Sequence, residues 1–159
     1  MGNIVRVSSP KSGHRAPQNF SVNLPDFECE RVQDIGFMTC MTLVLMGNYA
    51  QTGHFGGPLA YTPFCVASHL VGPKNGGLRF DYRRPKHPYS DKFMLAGGHN
   101  TPSAYAMWMI MGEALERKFN NTGNSKYKVD PNVAMLPIDV LGFRRGSIPL
   151  QTLLYENGL

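Results

Sequence analysis

Two histidines in this chain stand in the same local setting. His54 lies within Gly53-His54-Phe55-Gly56-Gly57-Pro58, and His99 within Gly97-Gly98-His99-Asn100-Thr101-Pro102. Each directly follows a glycine, and each comes shortly before a proline suited to the first helical position, where a missing N–H does no harm. Both imidazoles are therefore expected beside the open N-terminus of a helix. Such an end carries unpaired N–H groups and a partial positive charge, which favour an anion. A histidine placed there can donate a hydrogen bond to a phosphate or sugar oxygen, or move a proton. The flanking glycines let a ligand approach the backbone closely. A loop histidine more commonly serves as a surface or capping residue, and it is the repetition of the setting that singles these two out.

The elements that must position the two turns can be read from the apolar pattern. Val32, Ile35, Phe37, Met38, Met41, Leu43, Val44, Leu45 and Met46 predict a helix from Phe27 to about Gln51, apolar nearly all round and so buried on most sides. Gln51 to Gly57 is a turn, and Pro58 opens a second helix to about Val71. Gly72 to Ser90 reads as a long basic loop. The short run Phe93-Met94-Leu95-Ala96 reads as a buried strand, followed by a turn at Gly97 to Asn100. Thr101 suits an N-cap and Pro102 the next position of a third helix, which reaches about Arg117 with Ala104, Trp108, Met111 and Leu115 on one face. Asn120 to Lys128 is a polar loop, Pro137 to Arg145 a short helix, and Gly146 to Leu159 a weakly patterned tail. Residues 1–26, with Pro10, Pro17 and Pro25, form an extended arm.

Composition sets the outer bounds. A chain of 159 residues holds one domain with a real core, and 42% hydrophobic with 17% charged residues is ordinary for a globular protein. The longest apolar run, Gly36 to Met46, is too short to span a membrane, and Met1 to Ser12 lacks the apolar centre of a signal peptide, so a cytoplasmic protein is expected. Cys29, Cys40 and Cys65 form no C-x-x-C motif and are expected as reduced thiols, with Cys40 and Cys65 buried and inert. The net charge of +5 suits anionic partners. Lys74, Arg79, Arg83, Arg84 and Lys86 are loosely spaced with no accompanying motif, which argues against nucleic acid.

The residues around both histidines resemble a known family. Gly53-His54-Phe55-Gly56-Gly57-Pro58, between two helices, resembles the S-G-H-P-G-x-P segment of transketolases. Some forty residues later, Asp91-Lys92-Phe93-Met94-Leu95-Ala96-Gly97-Gly98-His99 is similar to their D-R-F-V-L-S-x-G-H strand and turn. Pro137-Ile138-Asp139-Val140-Leu141-Gly142-Phe143-Arg144 looks like the E-D-L-x-x-F-R helix that follows. The resemblance spans roughly Val32 to Arg145.

This resemblance implies an α/β chain: the N-terminal part of a thiamine-diphosphate-binding, transketolase-like fold, mostly helical with a short central strand. It implies that residues 27–159 form a partial cofactor-binding domain, in which His99, Gly98 and Gly97 lie by the diphosphate of thiamine diphosphate. His54 would face substrate oxygens, and His54 and His99 would be the catalytic residues. The implied reaction is ketol transfer, the cleavage and formation of C–C bonds next to a carbonyl, on a phosphorylated sugar. A second reading comes from Gly98-His99-Asn100-Thr101-Pro102-Ser103-Ala104-Tyr105-Ala106, similar to the G-H-x-x-P-x-x-Y-A of the homodimeric pyruvate dehydrogenase decarboxylating component. That reading implies a 2-oxoacid substrate. A third is a non-catalytic assembly module of the same fold.

Departures from the family pattern shape the expectation further. The G-D-G motif that would bind Mg²⁺ does not occur, and Gly146-Ser147-Ile148-Pro149 stands where a third histidine belongs. No metal ligand is therefore assigned; Mg²⁺ ligands are expected outside this chain. The leading expectation is a fragment that works only with the remaining part of the enzyme and a second subunit; one gene product of a split enzyme and a stand-alone, non-catalytic relative are the alternatives. One strand and a few apolar helices, moreover, would leave much apolar surface uncovered.

Overall fold

The computed structural model describes residues 29–144, so the arm at 1–26 and the tail at 146–159 lie outside the described residues. Helix α1, Cys29–Ala50, forms over the apolar run. Its inward stripe is Val32, Ile35, Thr39, Leu43, Met46 and Ala50, at steps of three or four residues, which is one face of a helix. Thr39 is fully buried, and its hydroxyl is satisfied by donating to Ile35 O at 2.7 Å. The opposite side is not buried as expected. Phe37 is 68% exposed, Leu45 64% and Val44 53%. The reason is geometric: among the described residues the other helices pack along its inward stripe.

Helix α2, Gly56–Leu70, begins two residues before Pro58. Helix α3, Thr101–Thr122, overruns the expected end near Arg117 and stops at Gly123. That glycine has φ +65°, and its N–H reaches Phe119 O at 2.7 Å, the left-handed closure that glycine allows at a helix end. Thr101 is the first helical residue rather than the cap, and its hydroxyl donates to Gly98 O at 2.5 Å. Short helix α4, Pro137–Leu141, is held at its start by Asp139, whose carboxylate accepts the Leu136 N–H at 2.8 Å.

The three long helices share one core in two adjoining parts. Cys65, Val66, Leu70, Ala104 and Met107 pack between α2 and α3, while Leu43, Met46, Ala106 and Val140 join α1, α3 and α4. His69 is buried in the first part, its Nδ1 hydrogen-bonded to Cys65 O at 2.8 Å and its ring edge-on to Phe80 and Phe93. Burial lowers its pKa below the ordinary 6.5, against the opposing effect of that carbonyl. Burial pushes the Cys65 thiol up to about 12, which makes it the inert thiol expected, whereas Cys40 is only partly covered.

The central strand does not form, and among the described residues the fold is mostly helical with no strands. Phe93-Met94-Leu95-Ala96 keeps a strand's alternation: Phe93 and Leu95 are partly covered, while Met94 is 88% exposed. What it lacks is a partner. A strand exists by its ladder, and the pairing here ends after Asp91 N donates to Arg79 O at 3.0 Å. The return bond from Arg79 N goes to the Asp91 side chain at 2.8 Å instead of to backbone.

Candidate functional site

The first histidine turn is built on the end of α1. Gln51 takes φ +53° and Gly53 φ +129°, which reverse the chain after Ala50. Phe55 then folds back onto the helix. A Cβ on Gly47 would come within 2.8 Å of the Phe55 ring, so only glycine permits this seat. The ring also meets Phe143 edge-on, with centroids 5.8 Å apart. His54 is left exposed, two residues before the first residue of α2.

The second turn repeats that register. Gly98–Asn100 is a single 3₁₀ turn, closed by Asn100 N donating to Gly97 O at 2.9 Å, and His99 also stands two residues before its helix, α3. The two helix starts are tied together. Ser103 Oγ donates to Pro58 O at 2.7 Å inside the core, and the same carbonyl accepts from Thr62 Oγ1 at 2.8 Å. Gly57 faces the second turn across this junction. A Cβ there would lie 2.6 Å from Asn100 Oδ1 and 3.0 Å from His99 Cδ2. The missing side chain lets the His99 turn close onto α2.

His54 and His99 line one cleft of about 210 Å³, together with Gly98, Tyr105 and Arg144. Of the four residues singled out from sequence, His54, His99 and Gly98 meet on its wall. Gly97 does not reach it; it lies beneath His99, where a Cβ would sit 3.2 Å from the ring's Cε1. The start of α3 contributes Thr101 and Pro102 to the wall, but the Thr101 N–H is spent on Gly98 O and Pro102 has none, so among the described residues the side-chain donors facing the cleft are two imidazoles, a phenol and a guanidinium. That set suits an oxyanion.

Sequence reasoning does not reach Tyr105 and Arg144 as site residues. Tyr105 enters the cleft from the first turn and a half of α3, one helical turn after Thr101, a placement that requires knowing where α3 begins. Arg144 follows α4 with φ +56°, a left-handed conformation rare outside glycine, asparagine and aspartate. Its Nη1 lies 3.5 Å from Thr52 Oγ1, and its guanidinium sits 5.7 Å from the Phe143 ring centroid. No spacing rule links residue 144 to residue 54; the Phe143-Arg144 pair is its only sequence signal.

A larger cleft of about 1100 Å³ adjoins the first, and Tyr105, Phe143 and Arg144 line both. Phe80 and Trp108, stacked with 8° between their planes, form part of its wall. Among the described residues no group of three or more His, Cys, Asp or Glu could hold a metal ion. The basic loop is largely tied down. Arg79 pairs with Asp91 at 2.7 Å, and Arg83 with Asp81 at 2.8 Å. Burial alone would raise the Asp81 carboxyl, but hydrogen bonds from Arg83 outweigh it and hold the group below its ordinary range. No described helix is long and apolar enough to cross a membrane. No protein-family model, no curated protein and no solved structure matches this chain, so its chemistry rests on the geometry of the two histidine turns.

Proposed function

We propose that the chain is part of a transketolase-like, thiamine-diphosphate-dependent transferase that cleaves and forms C–C bonds next to a carbonyl, acting together with further chain and a second subunit. The observation that carries this reading is the shared cleft: two imidazoles, in the same register before two helices, line a single cavity. Thiamine diphosphate, when bound, supplies the carbon nucleophile and the electron sink of such a reaction. The chain's own part is to hold and to move protons. The donors beside the start of α3 would take the cofactor's diphosphate, with His99 and Gly98 next to it. His54, on the other wall, would donate to a carbonyl or hydroxyl oxygen of the substrate as charge develops there. Mg²⁺ does not fit the described residues, and on this reading its ligands come from elsewhere.

A 2-oxoacid substrate is the second reading, favoured by Tyr105 on the cleft wall, the tyrosine of the decarboxylase-like block. Calorimetric titration of the full chain tests both readings at their common root. Thiamine diphosphate is expected to bind more tightly than inorganic pyrophosphate, and His99→Gln is expected to weaken it by about tenfold, the loss of one charge-assisted contact. Equal affinity for the two ligands would remove the cofactor from the reading. Indifference to His99→Gln would remove the site.

A further inference from the structure

We propose that Arg144 is the anion-recognising residue of the His54–His99 cleft, taking up a phosphate or carboxylate group of the bound ligand. This deepens the reading above and rests on it for the identity of the ligand, not for the binding of an anion. Three observations converge. Among the described residues Arg144 is the one guanidinium on the wall that also carries both histidines. The arginines at 79 and 83 are each occupied by a carboxylate, at 2.7 and 2.8 Å. Among the described residues Arg144 has no such partner, only a long 3.5 Å contact to Thr52 Oγ1, so most of its N–H donors remain to be used. Finally, its backbone is held at φ +56°, a conformation that carries strain for a non-glycine residue and concentrates at ligand clamps.

The geometry also explains how the side chain would be aimed. The ring of Phe143 beneath the guanidinium restricts it to one side, and that ring is itself fixed edge-on by Phe55, the residue after His54. The same aromatic pair thus sets Arg144 and His54 relative to each other. A planar guanidinium can meet two oxygens of one oxyanion at once, which a lysine cannot. Because Arg144 lines both clefts, an anion held there leaves the larger cavity open to the remainder of the ligand.

Three probes separate the sources of the anion: inorganic pyrophosphate for a cofactor diphosphate, inorganic phosphate for a sugar phosphate, and pyruvate for a 2-oxoacid. Each is titrated by calorimetry into the full chain, the Arg144→Gln and Arg144→Lys variants, and the Thr52→Val variant, which removes the hydrogen bond from Arg144 to Thr52. At least one probe should bind, Arg144→Gln should weaken it about tenfold or more, and Arg144→Lys should recover part of the loss. Thr52→Val should leave affinity within about twofold, which a purely structural role for Arg144 would not allow. Binding that is unchanged in Arg144→Gln, or the absence of binding by all three probes, overturns the proposal. If pyrophosphate depends on Arg144 while thiamine diphosphate binds no better than pyrophosphate, this inference stands and the cofactor reading fails. If thiamine diphosphate binds tightly and ignores Arg144→Gln, the reverse holds.

Discussion

Two adjacent glycines at the start of α2 offer a matched experiment on the closure of the site. Gly56 faces open space, with nothing within 4 Å of the point where a Cβ would stand, whereas a Cβ on Gly57 would meet Asn100 Oδ1 at 2.6 Å and the His99 ring at 3.0 Å. To restore ordinary contact at 3.4 Å, Asn100 Oδ1 must retreat by about 0.8 Å and His99 by a few tenths of an ångström. Replacing either glycine by alanine gains helix propensity, at most about 1 kcal/mol and less in a first turn. Overpacking of this size costs about 1–3 kcal/mol. Since the propensity gain is nearly the same at neighbouring positions, the difference between the variants isolates the clash. Gly56→Ala should therefore be neutral or slightly stabilised, and Gly57→Ala less stable than it by about 1–3 kcal/mol, a difference of several degrees in Tm. Urea denaturation and thermal melts of the full chain measure it. Calorimetric titration of pyrophosphate should show the second half of the effect, because the displaced ring belongs to the cleft. If Gly57→Ala proved as stable as Gly56→Ala and bound pyrophosphate as well as the parent, the close packing of the two turns would be refuted.

Other expectations concern the core. The pKa of His69 is lowered in the folded state, so the unfolded chain binds the proton more readily; stability should be level above about pH 6.5 and fall as pH drops below it. Thermal melts from pH 8 to pH 5 should show that slope and His69→Phe should flatten it; a slope retained in the variant would place its source elsewhere. Gly112→Ala would put a Cβ 2.7 Å from Met135 O, a backbone atom that cannot swing aside, and should destabilise the fold by about 1–3 kcal/mol in chemical denaturation despite a better helix former. Cys65, fully buried with its thiol pushed up to about 12, should resist iodoacetamide at pH 8 in the folded chain; mass spectrometry finding it alkylated as fast as in urea would contradict its burial.

How much of this is legible in the residues depends on the range of the interaction involved. The helices are readable because their signals are local: apolar steps of three and four in α1 and a proline near each later start, whereas the stop at Gly123 lies past the end expected near Arg117. The boundaries differ by a few residues, since Gly56 and Gly57 carry no helical signal of their own, and only Gly57 packs against the second turn. The strand expected at Phe93 fails for a related reason. Its alternation is local and survives, but a ladder needs a second segment, and Arg79 offers a backbone carbonyl at only one point. The expected burial of α1 is too high because apolar content records what a helix can cover, not whether a neighbour reaches it. Within the site, the matched setting of His54 and His99 is visible in sequence, and their meeting in one cleft follows from the Ser103 to Pro58 bond across 45 residues. Arg144 enters through a reversal of the backbone after α4, which no glycine at that position announces.

The seat of Phe55 on Gly47 has a mechanical consequence. With no Cβ between them, the ring bears directly on the α1 backbone, so the loop after α1 cannot slide along the helix without a collision. His54, one residue away, inherits that stop. Its distance from the long helix is set as by a bracket bolted to a beam, and a displacement of α1 along its axis would carry the imidazole with it rather than leave it behind.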